Sequence, residues 1–151
     1  PAAETNALSP QHRLNARFGP GLVLLGWDGI DLALTPGGVL RINTHWRITA
    51  ETDANWVSFA HLRGAPHADG SVIYAQRDSE PCDESYPTHR WRVGERIIER
   101  THIGLPPELP TGVYTLDIGW YDRTSLTRLP VADPSENALG DEIRLTILNQ
   151  P

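Results

Sequence analysis

Residues 39–49 read Val-Leu-Arg-Ile-Asn-Thr-His-Trp-Arg-Ile-Thr, and this stretch decides the fold class. Its side chains alternate between a largely apolar phase and a polar or charged phase. A period of two is typical of a β-strand that packs one face on a core and turns the other toward solvent or a partner. The apolar phase holds Leu40, Ile42, Thr44, Trp46 and Ile48, and the opposite phase holds Val39, Arg41, Asn43, His45 and Arg47.

A second stretch, residues 113–121, has the same alternation and follows a Pro110-Thr111-Gly112 turn. Its apolar phase holds Tyr114, Leu116, Ile118 and Trp120, and Asp117 lies in the opposite phase. Proline and glycine in this arrangement favour a turn that starts a new strand. Residues 113–121 therefore predict a central strand.

Further stretches with β-branched, aromatic or alternating residues each end at Gly, Pro, Asp or Asn. They are residues 14–18, 22–27, 55–62, 71–76, 95–105 and 142–148. Together the pattern predicts an all-β, two-sheet antiparallel sandwich, immunoglobulin-like or jelly-roll-like, of about eight strands. Residues 1–11 resemble a linker, and residues 12–151 are expected to form a single sandwich domain. The two long breaks, residues 79–92 and 122–140, are predicted loops in which function would lie.

The amino-acid composition limits the classes of ligand that the protein is expected to bind. The net charge of −6 disfavours a nucleic-acid ligand, because phosphate binding needs a surplus of positive charge on one face. Arginine supplies all 13 basic residues, and the one cysteine, Cys82, allows no internal disulfide. The chain starts at Pro1 and contains no Met, which suggests a piece of a longer protein.

We expect no catalytic centre within this domain. The sequence has no Gly-x-Ser-x-Gly nucleophile turn, and its glycine pairs are too short to cradle phosphates. A catalytic thiol at Cys82 would need a histidine that spacing does not supply. A carboxylate pair built around Asp117 would need a strand register that the sequence does not give.

No metal site is expected from the six histidines, His12, His45, His61, His67, His89 and His102, which have no ligand-type spacing. Two acidic clusters could hold Ca²⁺, since carboxylate oxygens are its ligands. They are Asp78, Glu80, Asp83 and Glu84, and Asp133, Glu136, Asp141 and Glu142. Neither matches an EF-hand loop, so solvated loop acids are the alternative interpretation and no cofactor is expected.

Five tryptophans in 151 residues raise the hypothesis of a glycan site, because the apolar side of a pyranose stacks on indole rings. Trp46 and Trp120 lie on apolar strand phases and are predicted core residues. Trp56 and Trp91 are therefore the predicted surface rings.

Residues 85–95, Ser-Tyr-Pro-Thr-His-Arg-Trp-Arg-Val-Gly-Glu, bring an aromatic ring and cationic side chains together before a strand. An arginine there could stack on a ring or bind a carboxylate. The candidate ligand-binding set is therefore Trp56, Trp91, Arg90, Arg92, Tyr86 and His89. The alternative is structural: a long loop held over the sandwich end by the packing of Trp91.

Eight short segments, in order, resemble a known class of module. They are Leu-Leu-Gly-Trp-Asp (24–28), Leu-Arg-Ile through Trp-Arg (40–47), Val-Ser-Phe-Ala-His-Leu (57–62), Ala-Gln-Arg-Asp-Ser (75–79), Tyr-Pro-Thr-His-Arg-Trp (86–91), Leu-Pro-Thr-Gly-Val-Tyr (109–114), Gly-Trp-Tyr-Asp (119–122) and Arg-Leu-Pro-Val (128–131). The chain is similar to the soluble, extracytoplasmic β-sandwich modules near the C-terminus of bacterial polytopic membrane proteins related to lipid-carrier-dependent glycosyltransferases. The resemblance implies a location on the extracytoplasmic face of the cell membrane. It supplies no catalytic residue.

These observations lead to one main hypothesis and one alternative. The main hypothesis is a non-catalytic accessory or binding module of a larger bacterial membrane or envelope protein, which recognises a glycan or lipid-linked sugar near the membrane. The alternative is a structural domain whose sheet face or edge strand packs on its parent chain or a partner protein. An enzyme would need convergent acid and base groups that the sequence does not show.

Overall fold

The computed structural model describes residues 9–31 and 34–149, and within them ten strands form two antiparallel sheets. The strands are β1 His12–Phe18, β2 Leu22–Asp31, β3 Val39–Ile48, β4 Trp56–Arg63, β5 Ile73–Ser79, β6 Arg96–Gly104, β7 Gly112–Asp122, β8 Val131–Ala132, β9 Ala138–Gly140 and β10 Ile143–Asn149. The six-stranded sheet has the order β6-β3-β2-β1-β8-β9, and the four-stranded sheet has the order β10-β7-β4-β5. The predicted two-sheet antiparallel sandwich is confirmed.

Each of the eight predicted stretches overlaps a strand, and the largest shift of a strand end lies in β2, which continues past residue 27 to Asp31. A bulge between Leu24 and Gly26 shifts the register against β3 and breaks the alternation that would have marked the extension. Gly26 has φ +153°, and a Cβ there would lie 2.1 Å from the His12 carbonyl oxygen. Only glycine fits this point of the sheet.

The number of strands was underestimated because β8 and β9 are short strands inside the predicted loop 122–140. A tight turn joins them: the carboxylate of Asp133 accepts hydrogen bonds from the Ser135 and Asn137 amides at 2.9 Å. Two or three residues are too few to show alternation. Their strand character comes from pairing, since Ala132 lies opposite Arg17 of β1.

The predicted linker, residues 1–11, lies mostly outside the described residues. Its last residue is bound to the sheet: the Gln11 amide donates to Asp28 Oδ1 at 2.7 Å, and Gln11 Oε1 accepts from the Gly29 amide at 3.1 Å. The chain is therefore fixed to β2 from this point onward.

The core lies between the two sheets, and both predicted apolar phases supply it. Leu40, Ile42, Trp46 and Ile48 of β3 are buried, as are Tyr114, Leu116, Ile118 and Trp120 of β7. The Trp46 and Trp120 rings meet edge to face with centroids 5.2 Å apart. β7 is a central strand, as predicted, because β10 and β4 flank it.

The prediction that Trp91 is a surface ring is wrong: its exposed fraction is 1%. The ring packs edge to face on Trp120, with centroids 5.7 Å apart, and its Nε1 donates to the Tyr86 carbonyl at 2.9 Å. Trp91 follows the 3₁₀-helix Thr88–Arg90, which turns the loop back over the sandwich end. The structural interpretation of residues 85–95, a loop anchored by Trp91, therefore holds.

One carboxylate, Glu99, lies among the apolar residues of the core. It occupies the inward phase of β6, opposite the buried Thr44, and is 2% exposed. Its Oε2 accepts a hydrogen bond from the Cys82 amide at 2.7 Å. Burial raises the pKa of Glu99 to about 7, and the hydrogen bond from Cys82 offsets only part of that effect.

We expect Trp91→Ala to lower the free energy of unfolding by about 3–5 kcal/mol, the range for removing a large aromatic side chain from a packed core. Trp56→Ala is the matched control, because that ring is only half-buried and its loss should be smaller. Urea unfolding followed by far-UV circular dichroism measures both. Equal losses for the two variants would contradict the core role of Trp91.

Glu99→Gln should remove a pH-dependent loss of stability. The pKa of the Glu99 carboxyl is 4.5 as an ordinary value and about 7 in the folded protein, so the native state binds the proton more tightly. Stability then falls as pH rises through this window, by about 3 kcal/mol in total. Glutamine still accepts from the Cys82 amide and does not ionise.

Denaturant unfolding of the wild type and Glu99→Gln at pH 4, 6 and 8 tests this expectation. The variant should be more stable at pH 8 and little changed at pH 4. Glu51→Gln, at an exposed position, is the control for loss of one negative charge. A wild type and a Glu99→Gln variant with parallel pH profiles would contradict it.

Candidate functional site

Two of the sequence-predicted ligand residues, Trp56 and His89, lie in segments that are hydrogen-bonded to each other at one end of the sandwich. The Trp56 amide donates to Thr88 Oγ1 at 2.9 Å, and that hydroxyl donates to the Ala54 carbonyl at 2.6 Å. His89 Nδ1 forms a hydrogen bond with Asn55 Oδ1. These contacts tie the start of β4 to the 3₁₀-helix.

The remaining predicted residues serve the loop or point to solvent. The Tyr86 hydroxyl donates to the two carboxylate oxygens of Glu95 at 2.8 and 2.9 Å, and this hydrogen bond is the main cause of the raised pKa of Tyr86. The Arg92 amide also donates to Glu95, at 2.7 Å. The side chains of Arg90 and Arg92 are exposed, whereas the Trp91 ring is inaccessible. A ligand-binding role for the accessible residues stays a prediction.

The only groove described beside Trp56 is small. Its volume is about 70 Å³, and Leu22, Glu51, Thr52 and Leu129 are among its lining residues. Ligand pockets usually measure roughly 300–1,000 Å³. This end of the sandwich offers a ring edge and a few polar groups, but no enclosed sugar site.

The acidic residues that suggested Ca²⁺ mostly bind other side chains. Asp78 contacts His61, Asp83 contacts Arg77 and Glu80 contacts Arg123. In the second cluster, Asp133 caps a turn, Glu136 contacts Arg17, and Asp141 and Glu142 contact Arg128. Among residues 9–31 and 34–149, no group of three His, Cys, Asp or Glu side chains could hold a metal ion. The Ca²⁺ alternative stays a prediction.

Cys82 lacks the environment of a nucleophilic thiol. It is half-buried, and burial together with the nearby carboxylates of Glu99 and Asp83 raises the pKa of its thiol to about 11. A nucleophilic cysteine needs a lowered pKa, because the thiolate is the reactive form.

The outer face of the four-stranded sheet carries charges that neutralise one another. Asp117 of β7 is fully buried there, and its Oδ2 accepts a hydrogen bond from Arg63 Nη1 at 3.1 Å and lies 3.5 Å from Arg144 Nε. Glu142 contacts Arg144 at 3.0 Å and Arg128 at 3.3 Å. The arginines on this face are bound to carboxylates that the fold itself provides.

Arg128 also lies over an aromatic ring on the same face. Its guanidinium carbon is 4.4 Å from the centroid of Phe59, which is 1% exposed. A Cβ at Gly119 would come within 2.4 Å of this ring, so glycine is required beside it. The contacts of this face are structural, because they bury their own aromatic and charged groups.

The outer face of the six-stranded sheet differs, since it concentrates exposed arginines. We call five of them the arginine face: Arg13, Arg41, Arg47, Arg96 and Arg100. Arg47 of β3 lies directly opposite Arg96 of β6, and Arg100 lies opposite Asn43. Arg41 and Arg47 occupy the phase opposite the buried side chains of β3. In the described part of the chain, neither Arg47 nor Arg100 forms an ion pair or side-chain hydrogen bond.

Other polar groups border the arginine face. His102 lies opposite Arg41 and is exposed, and Asn43 is half-buried. His45 is 4% exposed and its Nε2 lies 2.7 Å from Asp28 Oδ2. Burial raises the pKa of Asp28, but the hydrogen bonds from His45 and Gln11 outweigh it and lower the pKa overall.

A shallow cavity of about 190 Å³ lies beside two of the arginines. Its lining residues are Ser9, Pro10, Arg13, Leu14, Asn15, Leu25 and Arg96. Leu25 is the bulged residue of β2, so the irregularity in the sheet forms part of the cavity wall. The bulge therefore turns a flat sheet into a surface with a recess.

Sequence reasoning missed the arginine face, although part of the signal was present. The polar phase of β3 already held Arg41 and Arg47. The partners Arg96 and Arg100 come from β6, which is distant in sequence, and only the β3–β6 register places them beside β3. That register was not readable from the alternation alone.

The sequence matches no protein-family model and no curated protein. Its fold is similar to the crystal structure of the C-terminal domain of Wzt, with a TM-score of 0.54. The two are 16% identical, and the similarity covers 94% of this chain and 83% of that chain. In the described residues, no helix is long and apolar enough to span a membrane. The comparison supports a shared β-sandwich fold.

Proposed function

We propose that this chain is a non-catalytic binding module of a larger bacterial membrane or envelope protein, and that it recognises a glycan or lipid-linked sugar through the arginine face. The observation that carries the proposal is the contrast between the two outer faces. The four-stranded sheet binds its own arginines with its own carboxylates, whereas the six-stranded sheet leaves Arg47 and Arg100 available.

The side chains on this face suit a hydroxyl-rich ligand. A guanidinium presents planar donors in a fork, and the amide of Asn43 supplies both a donor and an acceptor. Fixed planar groups of this kind can bind two neighbouring hydroxyls at once. Because the face is a sheet surface, it is open at both ends and accepts a long polysaccharide chain. Arg13 and Arg96 lie beside a recess that could hold one sugar unit.

Among its described side chains, the same face offers no acid–base pair for catalysis. On β1, β2, β3 and β6, the described carboxylate side chains are Asp28, which binds His45, and Glu99, which lies in the core. Neither is free to transfer a proton to a bound sugar. A binding role follows more directly from these residues than a hydrolytic one.

The resemblance to modules of polytopic membrane proteins supports the proposed location, the extracytoplasmic face of the cell membrane. A sandwich held there by its parent chain would meet surface glycans and lipid-linked sugars. Recognition by this domain would then deliver or hold the substrate of a membrane-embedded enzyme, which would carry out the chemistry itself.

A second candidate function, packing on the parent chain or a partner protein, is favoured by β9. This strand lies at the edge of the six-stranded sheet, and Leu139 on it is 45% exposed. An open depression of about 570 Å³ adjoins it, with Leu14, Leu139 and Ile143 in the lining. An exposed edge with an apolar side chain is a typical protein contact.

A glycan array probed with the purified domain tests the main proposal. We expect saturable binding that Asn43→Ala reduces, because this change removes a hydrogen-bonding side chain from the face and leaves the core intact. Trp56→Ala alters the other candidate site, at the end of the sandwich, and should leave glycan binding unchanged. Parallel arrays with calcium and with a chelator test the Ca²⁺ alternative.

Two outcomes would contradict the proposal in different ways. Binding lost only in Trp56→Ala would move the site to the sandwich end. No binding to any glycan would favour the protein-contact function, and Leu139→Asp should then weaken association with the rest of the parent protein.

A further inference from the structure

We infer that the arginine face selects an anionic glycan, a polysaccharide with carboxylate or phosphate groups along its length. The inference rests on the proposed function and names the class of ligand that this site takes. It is carried by the arrangement of charge on the six-stranded sheet.

The arginine face is rich in positive charge, although the protein as a whole has a negative net charge. The chain has a net charge of −6, yet the face collects five of its 13 basic residues. On the four strands that form it, Asp28 is the described carboxylate on the outer side, and it already binds His45. Among the described side chains, the face therefore carries an excess of positive charge on an acidic protein, which focuses attraction for anions at one place.

The register places like charges beside one another. Arg47 and Arg96 are directly opposite across β3 and β6. The Cβ atoms of such a pair lie roughly 5 Å apart, so one anionic group can contact both side chains. Arg100 lies on the same side of β6, four residues along the strand from Arg96. Successive anionic groups of one polymer can therefore contact the Arg47–Arg96 pair and Arg100.

The opposite sheet provides an internal comparison. Arg63, Arg128 and Arg144 each lie within 3.5 Å of a carboxylate of the same chain. Arginine on this fold is therefore neutralised where its role is structural. Arg47 and Arg100 lack that neutralisation in the described part of the chain, so their carboxylate or phosphate partner is expected from outside.

The side chains exposed on the arginine face favour a glycan over a lipid surface. Membrane-surface binding usually combines basic residues with apolar side chains that insert among the lipids. The large apolar residues exposed in the described chain, Val93, Val113, Leu126 and Leu139, lie outside β1, β2, β3 and β6. A face of arginine forks and amides suits a polymer with both acid groups and hydroxyls.

Titration calorimetry with a matched pair of polymers tests the inference. Polygalacturonate carries a carboxylate on each sugar, and its methyl ester has the same backbone without the charge. We expect the acid form to bind at least about tenfold more tightly, the effect of one charge-assisted hydrogen bond. Added salt should weaken the acid form and leave the ester unaffected.

The double variant Arg47→Gln/Arg100→Gln should weaken polygalacturonate binding by about tenfold or more. Arg123→Gln is the control, since that exposed arginine lies in the loop after β7, away from the face. Both variants lose charge without loss of buried contacts, so thermal unfolding should show that each is folded.

The outcomes separate this inference from the proposed function. Equal affinity for the acid and the ester, with the double variant unaffected, would overturn anion selection but keep glycan recognition. Absence of binding to either polymer and to every arrayed acidic and neutral glycan would overturn both. Binding to phosphatidylglycerol vesicles but not to phosphatidylcholine vesicles, with no glycan bound, would assign the face to lipid headgroups and overturn the inference.

Discussion

The Trp120 ring meets two other indole rings edge to face, Trp46 from the opposite sheet and Trp91 from the loop before β6. Large rings remove much apolar surface from water, and their edge-to-face contacts add specific attraction. This cluster joins the two sheets and the long loop at one point. Because the core lies between the sheets, the side chains of the two outer faces can be polar.

The two outer faces use that freedom differently. On the four-stranded sheet, Asp117 is buried between Arg63 and Arg144, and Arg128 covers Phe59. Removing both arginine partners would leave Asp117 as a buried charge without compensation, so this face contributes to the stability of the domain. On the six-stranded sheet, Arg47 and Arg100 are exposed and form no ion pair in the described part of the chain, which is the basis of the proposed ligand site.

The two buried carboxylates, Asp117 and Glu99, also differ in whether a positive charge lies beside them. Asp117 has guanidinium partners, whereas Glu99 accepts a hydrogen bond from the neutral Cys82 amide, and burial raises the pKa of Glu99 to about 7. The Cys82 amide is presented by a turn in which Cys82, Asp83 and Glu84 all have positive φ. Such backbone is unfavourable for these residues, and the contact with Glu99 helps to hold it.

The sequence by itself determined the fold class and nearly all of the strands, because alternation of side chains depends only on which face of a strand is buried. It placed Trp46 and Trp120 in the core for the same reason. It could not place Trp91, since a loop residue has no phase, nor detect β8 and β9, which are too short to alternate. The sequence also could not predict the arginine face. Arg47 and Arg96 become neighbours only when β3 pairs with β6, and that register is a property of the tertiary structure.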